Sequence, residues 1–282
     1  MTTRNRAGRA RALGTWLMLG VLLALSVVGA VVQLVPDLRS LYLLQDLTAA
    51  YQPPLSEGYL LGTDNLGRDL FWRVVAGLSV SVWVSFAVAV VSVILGLLLG
   101  VVAGFFGRLA DATATVLVDV TWAFPALLLA VVLAGSMGVG LLTVVLALAL
   151  TGWASFARII RGEVLTLRER DYIHAASVLG VPKWRISARH LLPNLMPVTI
   201  VMMTFFVSTS VAAEAGLSFL GLGAQPPTPS LGVILADGRN YLTVSPWPVV
   251  IGGMALAAVV LLFNSLGDQL RDRLDPRARS RP

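Results

Sequence analysis

Apolar residues in this chain run in long unbroken blocks separated by clusters of charge, with neither the two-residue alternation of a strand nor the mixed faces of a surface helix. The first uncharged block covers 12–36 and the second 74–107. A third, 120–157, is too long for one helix and is interrupted by GSMGVG at 135–140, which divides it in two. The last two cover 190–213 and 240–267, the membrane part of the latter starting near Trp247. A helix needs about 20 apolar residues to cross a bilayer. The blocks therefore predict an all-α polytopic membrane protein with six spans, at 13–35, 79–104, 114–134, 140–158, 195–213 and 247–267.

The polar segments set the orientation. With residues 1–12 inside, the inner segments hold 17 of the 21 Lys and Arg: four before residue 12, Arg108, seven across 158–189 and five across 271–281. The outer segments hold only Arg39, Arg68, Arg73 and Arg239. Cytoplasmic loops carry the excess of positive charge, so both termini, the tail 268–282 and the segment 159–194 are expected inside. The basic lead at residues 4–11 would suit a cleaved signal peptide, but the apolar run after it is too long and lacks a clear cleavage site. A retained anchor is expected. Outside lie a first segment, 36–78, comprising a loop and a lead-in helix, and a second, 214–246. The second is rich in Gly and Pro yet apolar, and is expected to dip back toward the bilayer. The core is then 79–267.

Composition agrees and excludes several chemistries. Of 282 residues, 57% are hydrophobic and 13% charged, with mean hydropathy +0.83; soluble domains carry roughly 25% charge. With no cysteine, two histidines and one lysine, little remains for nucleophilic, acid–base or intramembrane metalloprotease chemistry, and no H-E-x-x-H occurs. The net charge of +6 is read as orientation and not as nucleic-acid binding. No G-x4-G-K-[S/T] loop is present, so any ATP must be bound by a partner. An ion-coupled transporter would need a charged midplane site, and the spans contain no central charge cluster.

The segment 159–194 is the longest inside connection. Residues 163–179, EVLTLRERDYIHAASVL, predict a helix without internal Gly or Pro; Gly180 ends it in a left-handed conformation, and Pro182 opens a second helix, PKWRISARHLL, in its first turn. Pro193 marks entry into span five. Small Ala175 and Ala176 let another surface approach closely, and Trp184 beside Arg185 and Arg189 suits a protein interface. The competing reading is a basic loop near anionic headgroups.

Here the spacing Ala175-Ala176-x3-Gly180, followed by Leu192-Pro193, resembles the loop of binding-protein-dependent ABC importer permeases. LGTDNLGRDL (61–70), DVTWAFPALLLA (119–130), EVLTLRERDYIHAASVLG (163–180), RHLLPN (189–194), EAGLSFLGLGAQPPTPSLG (214–232) and FNSLGDQLRDRLDP (263–276) are similar to the dipeptide/oligopeptide/nickel permease family, in its C-type subunit. The resemblance covers about residues 60–277. It implies a type I ABC importer permease fold with a coupling helix between spans four and five. It also implies a plasma-membrane location in a bacterium or archaeon, a B-type permease partner, two cytoplasmic ATPases carrying ATP and Mg2+, and an external binding protein, with no cofactor in this chain. The cargo implied is di- or oligopeptides, with nickel chelates or another small solute as the alternative. Arg170, Asp171, Tyr172, His174, Ala175, Ala176, Gly180, Trp184, Arg185 and Arg189 are the expected ATPase-coupling residues. The chain departs from the family at His174, where Glu is frequent, and at Leu231, where Trp is common.

Three further features remain. Asp64, Arg68 and Asp69 read best as a capped turn before a helix. Asp119 and Glu214, near span ends, are candidates for the translocation pathway or gate. Gly96, Gly100 and Gly104 repeat as small-x3-small, which favours close helix packing, expected against the partner permease.

Overall fold

The computed structural model describes residues 2–274; the end of the basic tail, with Arg277, Arg279 and Arg281, lies outside the described residues. The helices in chain order are α1 (Thr2–Leu34), α2 (Ser40–Leu43), α3 (Leu70–Phe105), α4 (Arg108–Trp122), α5 (Ala126–Met137), α6 (Leu141–Arg168), α7 (Asp171–Val178), α8 (Lys183–Ile186), α9 (Leu192–Phe219), α10 (Leu231–Arg239) and α11 (Trp247–Leu274). Among the described residues no strand forms. Five helices are long and apolar enough to cross a membrane, and the pair α4–α5 makes a sixth if counted as one bent span.

Several boundaries differ from the sequence expectation, each for a local reason. The lead-in helix and span two are a single helix of 36 residues, because nothing breaks the chain between Leu70 and Phe105. Its start is fixed by Asp69, whose side chain accepts hydrogen bonds from the Phe71 and Trp72 backbone N–H groups and so satisfies two of the orphan donors. Span three is not one helix over 114–134. α4 and α5 meet at 88°, with Pro125 extended at the junction (φ −56°, ψ 125°). Proline drives the residue before it away from helical geometry, which ends α4. The glycines at 138 and 140, at φ +93° and +146°, make the expected break before α6.

The segment expected as one helix over 163–179 is two. α6 runs on to Arg168; Arg170 is then extended (φ −76°, ψ 139°) and α7 starts at Asp171. The Arg170 carbonyl accepts from the N–H groups of Ile173 and His174, and the carboxylate of Asp171 sits in the first turn, where the helix dipole favours it. Pro182 is the extended N-cap of α8, not a first-turn residue. Pro193 does not separate a second helix from span five either. Helix continues from Lys183 to Phe219 through a π turn at Ser187–Leu191, in which the Leu192 N–H bonds to the Ser187 carbonyl. The wider turn accommodates the proline ring that an α turn would press against the carbonyl four residues back.

α3 is the central element. Toward its start, Leu70, Leu78 and Val82 join Val207 and Val211 of α9, Ile234 of α10 and Val259 of α11 in one buried cluster. At the opposite end Val101 of α3 meets Ile160 and Val164 of α6, Ile173 of α7, Ile186 of α8 and Leu195 of α9. At that end the glycine repeat packs against α6 of this same chain, and not against a partner permease: a Cβ at Gly100 would lie 2.8 Å from the Ala157 carbonyl oxygen, and one at Gly104 2.6 Å from Val164 Cγ1. The segment 214–246, expected outside, folds back as α10 onto α3, α9 and α11.

Candidate functional site

α7 is anchored and presented by opposite faces. Ile173 is buried, as are Ile186 and Leu191 beyond the turn. Arg170, Asp171, Tyr172, His174, Ala175, Trp184, Arg185 and Arg189 are exposed, and Ala176 is half-buried. Gly180 has φ +75°, the left-handed value expected. Its N–H bonds to the Ser177 carbonyl, and the Val181 N–H reaches back to the Ala176 carbonyl, the paired bonds of a glycine-terminated helix. Val181 and Ala176 pack against the same buried cluster as Ile173, so the cap also fixes the direction in which the turn points.

At that turn the sequence reading missed two residues. Val178 is 87% and Leu179 81% exposed, and with Trp184 they form an apolar tip. At 100° per residue Val178 lies about 140° around α7 from buried Ile173, so its apolar side chain off the anchored face was the available signal. Polar groups rim the tip: the Arg185 guanidinium lies 5.4 Å from the Trp184 ring centre, the Tyr172 and His190 rings are 6.0 Å apart, and His174 Nε2 stands 3.8 Å from Glu169 Oε2.

A cleft of about 640 Å³ opens between the α4–α5 bend, α6 and α9. Trp122 and Phe124 form its aromatic wall, Thr151, Ser155, Thr209 and Ser210 supply hydroxyls, and no charged side chain lines it. Phe206 packs edge-on to Phe156, with ring centres 5.1 Å apart, and covers Gly152. The two expected pathway carboxylates are not on this wall. Asp119 is exposed beside the cleft and pairs with Arg158 at 3.4 Å, while that guanidinium sits 4.3 Å over Trp122. Glu214 is fully buried on the side of α9 that faces α3 and α10.

At the α10 end the expected capped turn is present: Asp64 Oδ1 accepts from the N–H groups of Leu66 and Arg68. A long-range pairing, invisible in local sequence, is added to it. Asp64 Oδ2 is 2.7 Å from Arg68 Nε and 3.2 Å from Arg73 Nε, and Arg73 Nη2 reaches Asp237 of α10 at 3.1 Å. Burial pushes the Asp237 carboxyl up from its ordinary range, while Arg73 and Arg68 pull it back down.

The model of the family described as binding-protein-dependent transport system inner membrane component matches residues 96–280. A putative peptide transport system permease protein of Brucella suis is 43% identical over 227 residues, 80% of this chain and 76% of that protein. The oligopeptide transport system permease protein OppC of Bacillus subtilis is 38% identical over 84% of this chain and 78% of its own length. The dipeptide transport system permease protein DppC of Haemophilus influenzae is 36% identical, over 83% and 81%. Among solved structures, a chain of the MetNI methionine ABC transporter in an inward-facing conformation superposes with TM-score 0.60 at 20% identity, covering 73% of this chain and 98% of that one; the likeness is one of fold.

Proposed function

The chain belongs to the family of binding-protein-dependent transport system inner membrane components, and from that membership we propose that it is the C-type permease subunit of an ATP-driven peptide importer. It is a multi-pass membrane protein with the type I ABC importer permease fold and acts as a non-catalytic permease subunit. In the reading proposed, both termini and α7 face the cytoplasm. A B-type permease completes the pathway, two ATPases carry ATP and Mg2+, and an external binding protein delivers the cargo.

The observation that carries this reading is the apolar tip of Val178, Leu179 and Trp184 held out by the Gly180 cap. An exposed apolar cluster of this kind rimmed by arginine matches the core and rim of a protein interface. Its anchorage makes it a lever. Ile173 and Ile186 share one buried cluster with Val101 of α3, Ile160 of α6 and Leu195 of α9. Force applied by an ATPase groove on the tip therefore reaches α6 and α9, the helices that wall the cleft. The hydroxyl and aromatic lining suits peptide backbone and varied side chains, because it imposes no fixed charge on what passes. The peptide assignment draws on the peptide, oligopeptide and dipeptide permeases that are its relatives at 36–43% identity.

The test is uptake by vesicles carrying the reconstituted complex of this chain, its B-type partner, both ATPases and the binding protein. Uptake of a labelled di- or oligopeptide should require ATP and all partners. Uptake unaffected by omitting the ATPases overturns the reading, and uptake of a nickel chelate in place of peptides corrects the cargo.

A further inference from the structure

Glu214 is a buried carboxylate that the coupling scheme does not use. It is completely enclosed, and three serines from three elements surround it: Ser81 of α3, Ser218 of α9 and Ser230 at the start of α10. The Ser218 hydroxyl donates to Oε1 at 2.7 Å, whereas Oε2 accepts no hydrogen bond. Each of these serine oxygens is also occupied from the other side. Ser218 Oγ accepts the Ala224 N–H, Ser81 Oγ the Leu231 N–H at 3.2 Å, and Ser230 Oγ the Val233 N–H. A hydroxyl has one proton to give, and with a backbone N–H on its lone pair that proton is free to point at an acceptor. The Glu214 carboxyl supplies that acceptor to Ser218, and it lies beside the N-terminal end of α10.

The backbone has been shaped to reach this point. A Cβ at Gly232 would stand 2.8 Å from Ala215 Cα, and one at Gly223 2.9 Å from Ser218 Cα, so the chain on both sides of residues 224–231 lies directly against α9. The far end of α10 is held separately, through Asp237 to Arg73. α10 is thus held at its start by the Leu231 N–H on Ser81, beside Glu214, and at its end by the ion pairs.

We propose that Glu214 is a positioning residue for transport: through Ser218, whose oxygen also holds the Ala224 N–H, and with Ser81 and Ser230 beside it, Glu214 pins the 220–231 segment to α9 and α3, so that this end of the molecule moves as one body with the helices of the cleft. The inference deepens the permease reading and rests on it for the transport consequence. It predicts that loss of the pin lets the 220–230 segment move independently while α7 and its tip are untouched.

The chain contains no cysteine, so spin labels at Leu60→Cys and Gln225→Cys, both exposed positions, report on the first loop and the pinned segment alone. The measurements are the distance distribution between the labels in the full complex, with and without ATP, and peptide uptake per inserted complex. In the parent protein the distribution should be narrow in each state. Glu214→Ala, and Glu214→Gln, whose amide presents a donor to hydroxyl donors, should broaden it. Both should lower uptake per inserted complex about tenfold, since the buried Ser218 hydroxyl loses its carboxylate acceptor, with ATPase co-purification unchanged. If Glu214→Ala fails to insert, Ser218→Ala, which deletes the donor to Oε1 at little change in volume, supplies the same readings. Distributions as narrow as the parent's, or parental uptake per inserted complex, overturn the pin. Should the parent complex import no peptide, the permease reading falls instead, while the label distances still decide whether Glu214 holds the segment.

Discussion

At Gly180 two physical effects can be separated, because open space surrounds the position: no heavy atom lies within 4 Å of where a Cβ would stand. A side chain there strains only the backbone, by about 1 kcal/mol for alanine at positive φ, and adds bulk at the tip proposed to dock the ATPases. Asparagine tolerates the left-handed region several-fold better than most residues. Gly180→Asn should therefore keep the cap and the chain's thermal stability while weakening co-purification of the ATPases, and Gly180→Val, β-branched at a positive φ, should do both harms. If Gly180→Asn binds ATPases like the parent, the tip around Gly180 is not the docking surface. A second residue prediction uses the tip itself: Val178→Asp with Leu179→Asp should abolish ATPase capture at unchanged membrane insertion. The left-handed Gly180 and the exposed Arg170, Arg185 and Arg189 were readable from the loop pattern, because glycine marks backbone freedom and charge marks exposure. Val178 and Leu179 were not, since an apolar side chain near a membrane protein's helix end looks like core until burial is known. Asp119 and Glu214 were readable as unusual charges, but which way a helix turns them depends on its neighbours.

At the scale of elements, the α3–α6 contact decides stability. Gly100 lies so close to α6 that a Cβ would meet the Ala157 carbonyl oxygen and Ile160 Cβ at 2.8 Å. The backbone oxygen cannot move aside, so Gly100→Leu should cost about 1–3 kcal/mol as an overpacking change. Gly135→Ala, with nothing within 4 Å, should be neutral or slightly stabilising. Thermal aggregation midpoints of the detergent-solubilised chain check both; equal midpoints for the two variants would show that the close approach carries no stability. The small-x3-small repeat announced tight packing, but a repeat cannot name its partner, and here the neighbour is intramolecular. The helices themselves were legible from unbroken apolar blocks, to the residue in the case of Trp247. What escaped was continuity: the π turn that carries helix through Pro193 and the 88° corner at Pro125 are two responses to proline. Which response wins depends on what packs beside it.

For the molecule as a whole, orientation and the tie between the outer segments remain to be measured. The 17-to-4 distribution of basic residues predicts that a reporter fused after Pro282 is active only inside and one inserted at Gly58, in the first loop, only outside. The reverse pattern would invert the proposed coupling side. The outer tie has two arms of unequal weight. Arg73 and Asp64 are 2% and 4% exposed, and removing Arg73 leaves two carboxylates sharing Arg68 alone, an uncompensated charge in a buried site that costs about 3–5 kcal/mol. Asp237 is 40% exposed, and its pairing with Arg73 is discounted to about 1 kcal/mol or less. Arg73→Met should therefore destabilise the fold strongly, Asp237→Asn only slightly, and Asp64→Asn combined with Arg73→Met should recover part of the loss, because no uncompensated charge remains. The two aspartates differ in consequence as well. Asp64 holds its own turn through the N–H groups of Leu66 and Arg68, so its loss loosens the first loop. Asp237 joins that loop to α10, so its loss should raise protease cleavage at α10 with the midpoint of unfolding nearly unchanged. Equal destabilisation by Asp237→Asn and Arg73→Met would show instead that α10 is held mainly by this ion pair, and the weight now given to the Glu214 end would have to shift to it.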